Sequence, residues 1–159
     1  MVAATCVLIA AAYYVSNIRT TQRNMRMNLE TRQAQLFMQI FNRFNEPDFF
    51  EKFTQILSWK WVDYDDFLKK YGGKTNPEAW YSEGSIAAFF EGVGLLVYLQ
   101  LLDVKLAHAL LFRHVKLFWE KMKPISLEMR RQLTLPHIDQ WVEYLYIELI
   151  KIEEKELKS

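Results

Sequence analysis

The residue best placed for chemistry is Glu91, the one carboxylate within the run Ser85–Asp103, SIAAFFEGVGLLVYLQLLD, before its closing aspartate. A carboxyl group drawn into an apolar core holds its proton more tightly, and that is how proteins make a general acid at neutral pH. Tyr98 lies seven residues on and shares a helical face with Glu91 and Gly94. Two histidines follow, His108 and His114, and then the pair Arg130 and Arg131. Together the six form one candidate polar cluster, provided that the fold brings them to a common pocket. The competing reading pairs Glu91 with a cation from a neighbouring helix or brings it to the rim of the bundle. Arg130 and Arg131 are the leading partners for it or for Glu143, with anionic lipid headgroups as their alternative. Ion pairs perturb carboxylates as readily as catalysis does, so this structural reading is favoured.

No metal centre and no cofactor is expected. His108 and His114 stand six apart, about 120° around a helix, where a shared metal needs three or four. Asp63, Asp65 and Asp66 lack the remaining ligands and the glycine of a calcium loop, so they are expected to cap a helix and face solvent. Gly73–Lys74–Thr75 looks like the end of a phosphate loop, but the first glycine would fall on Leu68 and no strand precedes it. Without a nucleophile–base signature either, no catalytic residue is assigned and a non-enzymatic role is expected.

Helices must position these groups. From Ile86 to Leu102 only Glu91, Tyr98 and Gln100 carry polar side-chain groups, so the helix is apolar around its whole circumference. Such a helix is either the centre of a bundle or a membrane span. A span would bury Glu91 at a cost of about 3 kcal/mol and would export Lys105, Arg113, Lys116 and Lys121. The bundle reading is therefore preferred. Asn76–Pro77–Glu78 starts this helix, Asp103 caps the next, and Asp63 caps a short one ending at Gly72. Gly92 and Gly94 are expected to admit a neighbouring backbone. Val104, Ala107, Leu111, Val115, Phe118 and Met122 mark the inner stripe of the helix after Asp103. Pro124 is expected to open a short separate segment and Pro136 the last helix, with Ile138, Trp141, Val142, Leu145, Leu149 and Ile152 inward.

The N-terminus is different in kind. Met1–Val15 carries no charge, and through Ile18 the run would span roughly 27 Å as a helix, against a hydrocarbon core of about 30 Å. Arg19, Arg23 and Arg26 follow it, which by the positive-inside rule puts the N-terminus outside and the rest in the cytoplasm. The expected organisation is a transmembrane anchor over 1–18, a helical stalk over 19–33 and a cytoplasmic bundle of about five or six helices over 34–159. The fold class is all-α. A thin stripe at Met25, Leu29, Leu36, Ile40 and Phe44 is either a coiled-coil seam or a helix docking on its own domain; docking is preferred after Ala34.

Composition excludes some partners. Twenty Lys+Arg against nineteen Asp+Glu leave a net charge of +1, without the basic surface that nucleic acid requires. Cys6 is the only cysteine, so there is no intrachain disulfide. The expected partners are the membrane and either another protein, met through aromatics such as Trp59, Trp61, Trp80 and Tyr81, or a second copy of the chain through the stalk.

In order along the chain, ETRQAQLFMQIF, DDFLKKYG, FFEGVGLLV, LLD, FWEKMKPI, EMRR and WVEYLYIEL resemble an uncharacterised domain family. Its members are small helical proteins, often with an N-terminal transmembrane helix, known as a domain of unknown function. The resemblance covers nearly the whole chain after about Leu29. It implies a helical fold, a membrane tether and a longer N-terminus in relatives, and it brings no catalytic residues.

Overall fold

A computed structural model describes residues 2–158, with side chains from residue 13 to residue 158. The described chain is all-α, with six helices and no strand. They are α1 (Val2–Phe44), α2 (Pro47–Ser58), α3 (Tyr64–Tyr71), α4 (Pro77–Tyr98), α5 (Val104–Leu133) and α6 (Gln140–Glu156). The chain divides into two compact units, Met1–Leu36 and Phe37–Ser159.

The first unit is helical throughout its described part. From Tyr13 to Arg32 every side chain is exposed, Met25 by 62 % and Leu29 by 61 %. Local bonds hold it, among them Arg26 Nε to Glu30 at 3.0 Å and Thr31 Oγ1 to the Met27 carbonyl at 2.9 Å. No helix among the described residues is long and apolar enough to cross a membrane. The anchor expected over residues 1–18 thus finds no support there, and its side chains through residue 12 lie outside the described residues.

The second unit is built around α4, which packs against α2, α3, α5 and α6. Its start obeys local chemistry: the Asn76 side chain accepts from Ala79 N at 3.1 Å, with Pro77 at the first position and Glu78 in the first turn. Ile86, Phe90, Val93 and Val97 of α4 meet Phe49, Phe53 and Ile56 of α2, Leu111, Val115, Phe118 and Met122 of α5, and Val142, Leu145 and Leu149 of α6 in one buried core. Ile40 and Phe44, at the end of α1, belong to the same core. Asp63 accepts from Asp66 N at 2.8 Å to cap α3, and Asp103 from Lys105 N at 2.7 Å to cap α5.

Three expectations are corrected. Pro124 opens no separate segment, because α5 runs unbroken from Val104 to Leu133 with the proline inside it. A proline there forfeits one backbone hydrogen bond. Met122, Ile125 and Ser126, all buried around it, hold the helix to the core. Pro136 does not open the last helix either; residues 135–139 form turns, and α6 begins at Gln140, after Asp139 at φ 51°. Finally, Trp59 is buried, stacked on Tyr71 with ring centroids 4.2 Å apart, and Trp61 and Trp80 are half-buried, leaving only Tyr81 of the four expected partner aromatics exposed.

Candidate functional site: the polar junction of α4, α5 and α6

The first turn of any helix presents backbone N–H groups with no partner inside that helix. In α6 the residue before the helix, Asp139, makes no side-chain cap. Its carboxylate turns instead to Ser126 Oγ of α5, 2.6 Å away. The vacant capping role is filled from α4: Glu91 Oε1 accepts from Trp141 N at 2.9 Å and from Val142 N at 3.2 Å. These are the second and third helical positions, the two donors an N-cap side chain ordinarily satisfies, and the negative charge complements the helix dipole.

Gly94, one turn after Glu91, makes this approach sterically feasible. A Cβ placed there would lie 2.7 Å from the Trp141 carbonyl carbon and closer still to its oxygen. Gly92 has nothing within 4 Å of such an atom, so of the two glycines expected to admit a neighbour only Gly94 does.

Electrostatics at the junction run against ionisation. The Glu91 carboxyl is held above its ordinary pKa, first by loss of surrounding water. Its two amide bonds offset part of this, Asp139 adds to it, and Arg130 opposes it. Glu83, about two turns earlier on α4, is half-buried, and its carboxyl is pushed up to about 8 by desolvation and then by the Asp139 charge. Arg130 of α5 closes the junction, with Nε donating to the Ile138 carbonyl at 2.7 Å and Nη1 to Glu143 Oε2 at 2.6 Å. Its Nη2 is buried without a hydrogen-bond partner.

The six candidate residues fall in several places. Glu91 and Arg130 meet at this junction, where Arg130 binds Glu143 directly and reaches Glu91 only through its charge. Tyr98 is half-exposed, its ring against Trp141 and Tyr144 at 4.6 and 5.5 Å. Arg131 is on the surface with Glu128, whose carboxyl its hydrogen bond, with that of Gln132, pulls down to about 2. His114 sits among Phe44, Phe53 and Phe50 at 4.7, 5.3 and 5.9 Å. Burial and then Arg113 hold its pKa down, and its Nδ1 is buried without a partner. His108 faces Glu153 of α6, Nε2 to Oε2 3.1 Å.

Sequence reasoning missed Glu83, Ser126 and Asp139. The spacing of eight between Glu83 and Glu91 was the available signal, since it puts both on neighbouring arcs of one helix. Apart from this junction, Trp61, Val62, Asp63, Tyr64, Asp65, Pro124, Ile125, Glu128, Arg131 and Gln132 line an open groove of about 510 Å³. Lys121 stands on the same side of α5, its Nζ 4.4 Å from the Trp61 ring centre and 2.5 Å from the Trp59 carbonyl.

An all-helical domain in which a half-buried carboxylate of one helix caps another defines a structural class. Residues 1–148 match the model of a domain of unknown function, DUF4760, and the chain belongs to that family. No curated protein and no solved structure matches it.

Proposed function

We propose that the protein is a membrane-tethered helical interaction module without catalytic chemistry of its own. Residues 1–18 are the tether, with the N-terminus outside, and the Phe37–Ser159 unit is the cytoplasmic binding part. One observation carries the non-enzymatic reading: Glu91 Oε1 is occupied by two backbone amides of α6. That oxygen is committed to architecture, and neither the Trp61–Gln132 groove nor the groove beside Glu148 and Glu156 is lined by Glu91. An enzyme or small-ligand site around Glu91 would need His108 and His114 beside it, whereas both have neighbours elsewhere, and Tyr98 comes near the junction only through its ring against Trp141. The tether rests on the charge-free sequence Met1–Val15 and on Arg19, Arg23 and Arg26 after it. The Trp61–Gln132 groove supplies the contact surface, with two aromatic rings, an exposed Val62 and paired charges at its rim.

Fractionation and pull-down test the two halves separately. The full chain stays in the membrane pellet through an alkaline wash, and a chain lacking residues 1–18 does not. A full chain recovered wholly in the supernatant would overturn the tether. From native membranes, Arg131→Glu loses a partner that Glu91→Gln retains; the reverse pattern would return the function to Glu91.

A second reading has its own support. The exposure of Met25 and Leu29 on one face of α1 suits a stalk that pairs with a second copy. Detergent-solubilised protein then sediments as a dimer, and Leu29→Lys returns it to monomer; a monomer for the unaltered chain rules this out.

A further inference from the structure

We propose that His108, Glu153 and Glu156 form a binding site for a single divalent transition-metal ion of the zinc type. His108 projects from the second turn of α5, while Glu153 and Glu156, at i and i+3, share one face of the last turns of α6. One ligand atom from each of the three lies within 4.8 Å of the other two. The closest pair, His108 Nε2 and Glu153 Oε2, are 3.1 Å apart. Around a tetrahedral ion with bonds of about 2.0–2.1 Å, neighbouring ligand atoms stand about 3.3 Å apart. The first two donors therefore hold nearly the separation a bound ion imposes, and a carboxylate oxygen of Glu156, on the exposed rim, lies within 4.8 Å of both.

The donor set selects the ion. One imidazole with two carboxylates suits zinc and its neighbours, whereas magnesium and calcium prefer oxygen alone. Three protein ligands leave one position for water or an exchangeable ligand. The surroundings favour a cation in part, since the carbonyl end of the α6 dipole lies here. His108 is also mostly enclosed, its side chain 12 % exposed, which orients the imidazole before binding. Against this, Lys105, Lys151 and Lys155 line the groove of about 450 Å³ that includes Glu156. Three ammonium groups so near set the expected affinity in the micromolar range rather than that of a structural zinc centre. Both glutamates lie beyond residues 1–148, the stretch that the family model matches.

Calorimetric titration of the full-length, untagged protein with zinc chloride, with magnesium chloride as control, tests the site. The expected result is one zinc ion per chain with a dissociation constant in the micromolar range and no magnesium binding at that concentration. His108→Ala and Glu153→Gln each weaken zinc binding about tenfold or more. Glu156→Gln does the same with an unchanged circular dichroism spectrum, because Glu156 is exposed, which guards against loss of fold in the other two. His137→Ala, at an exposed histidine elsewhere, leaves zinc binding unchanged. Unaltered zinc affinity in Glu156→Gln and Glu153→Gln, no zinc binding by the unmodified chain, or an equal loss in His137→Ala would each overturn the proposal.

Discussion

Glu91 and Trp141, fifty residues apart in the chain, are joined by a 2.9 Å hydrogen bond that runs from the backbone N–H of one helix to the side-chain carboxylate of another. The N-cap of α6 is thus supplied in trans. Asp139, which holds the N-cap position, is committed to Ser126. The bond does two jobs: it satisfies donors that would otherwise be orphaned in a half-buried place, and it fixes where α6 begins against α4.

Truncation and amide replacement at Glu91 should differ. Glu91→Ala leaves the Trp141 and Val142 amides without an acceptor and is expected to cost about 1–3 kcal/mol. Glu91→Gln keeps an acceptor oxygen and removes a charge that burial disfavours, so its cost is expected to stay within about 1 kcal/mol. Urea denaturation at pH 7 measures both. Equal losses would mean that charge, not hydrogen bonding, dominates.

The neighbouring glycines give a matched pair. Gly94→Ala forces a methyl group into the Trp141 carbonyl and is expected to destabilise by about 2 kcal/mol or more. Gly92→Ala, on an exposed part of the same helix with open space around it, is expected to stabilise by about 0.5–1 kcal/mol through helix propensity alone. Thermal melts of the two proteins should move in opposite directions.

Glu83 makes stability depend on pH with a definite sign. Its folded-state pKa of about 8 lies above the ordinary value of 4.5, so the native protein binds the proton more tightly than the unfolded chain. Glu83 therefore penalises folding progressively as pH rises from about 4.5 to about 8, and the favourable contribution of its protonated form is fully present only below that window. Glu91, raised in the same direction, reinforces the trend. Glu83→Gln is expected to leave stability at pH 4.5 nearly unchanged and to raise it at pH 8 by about 2 kcal/mol or more. Denaturation curves at the two pH values that shift equally would contradict this.

How much of this was legible depends on whether the partner is local. Asp63, Asn76 and Asp103 cap helices that start within three residues of them, and residue type with spacing was enough to find them. The apolar circumference of α4 left a bundle centre or a membrane span, and Glu91 with the cations after the helix favoured the central place that it occupies. Pro124 misled because its effect on a helix is set by what packs around it, here Met122, Ile125 and Ser126. Pro136 misled because an aspartate in the left-handed conformation, Asp139, moved the helix start four residues on. Glu91 was singled out as the residue whose partner matters, and the partner expected was a cation, whereas its acceptor oxygen meets the backbone amides of Trp141 and Val142. Backbone amides are carried by every residue but proline and leave no trace in composition. Gly92 and Gly94 are alike in sequence, and only the position of α6 distinguishes them.

Amide hydrogen exchange at Trp141 and Val142 tests the Glu91 cap most directly. First-turn amides of a helix usually exchange fast for want of a partner. If Glu91 holds them, both are protected in the unmodified protein and lose that protection in Glu91→Ala, while the amide of buried Leu149 in the same helix keeps its own. Unprotected Trp141 and Val142 amides in the unmodified protein, or protection unchanged by Glu91→Ala, would contradict the account.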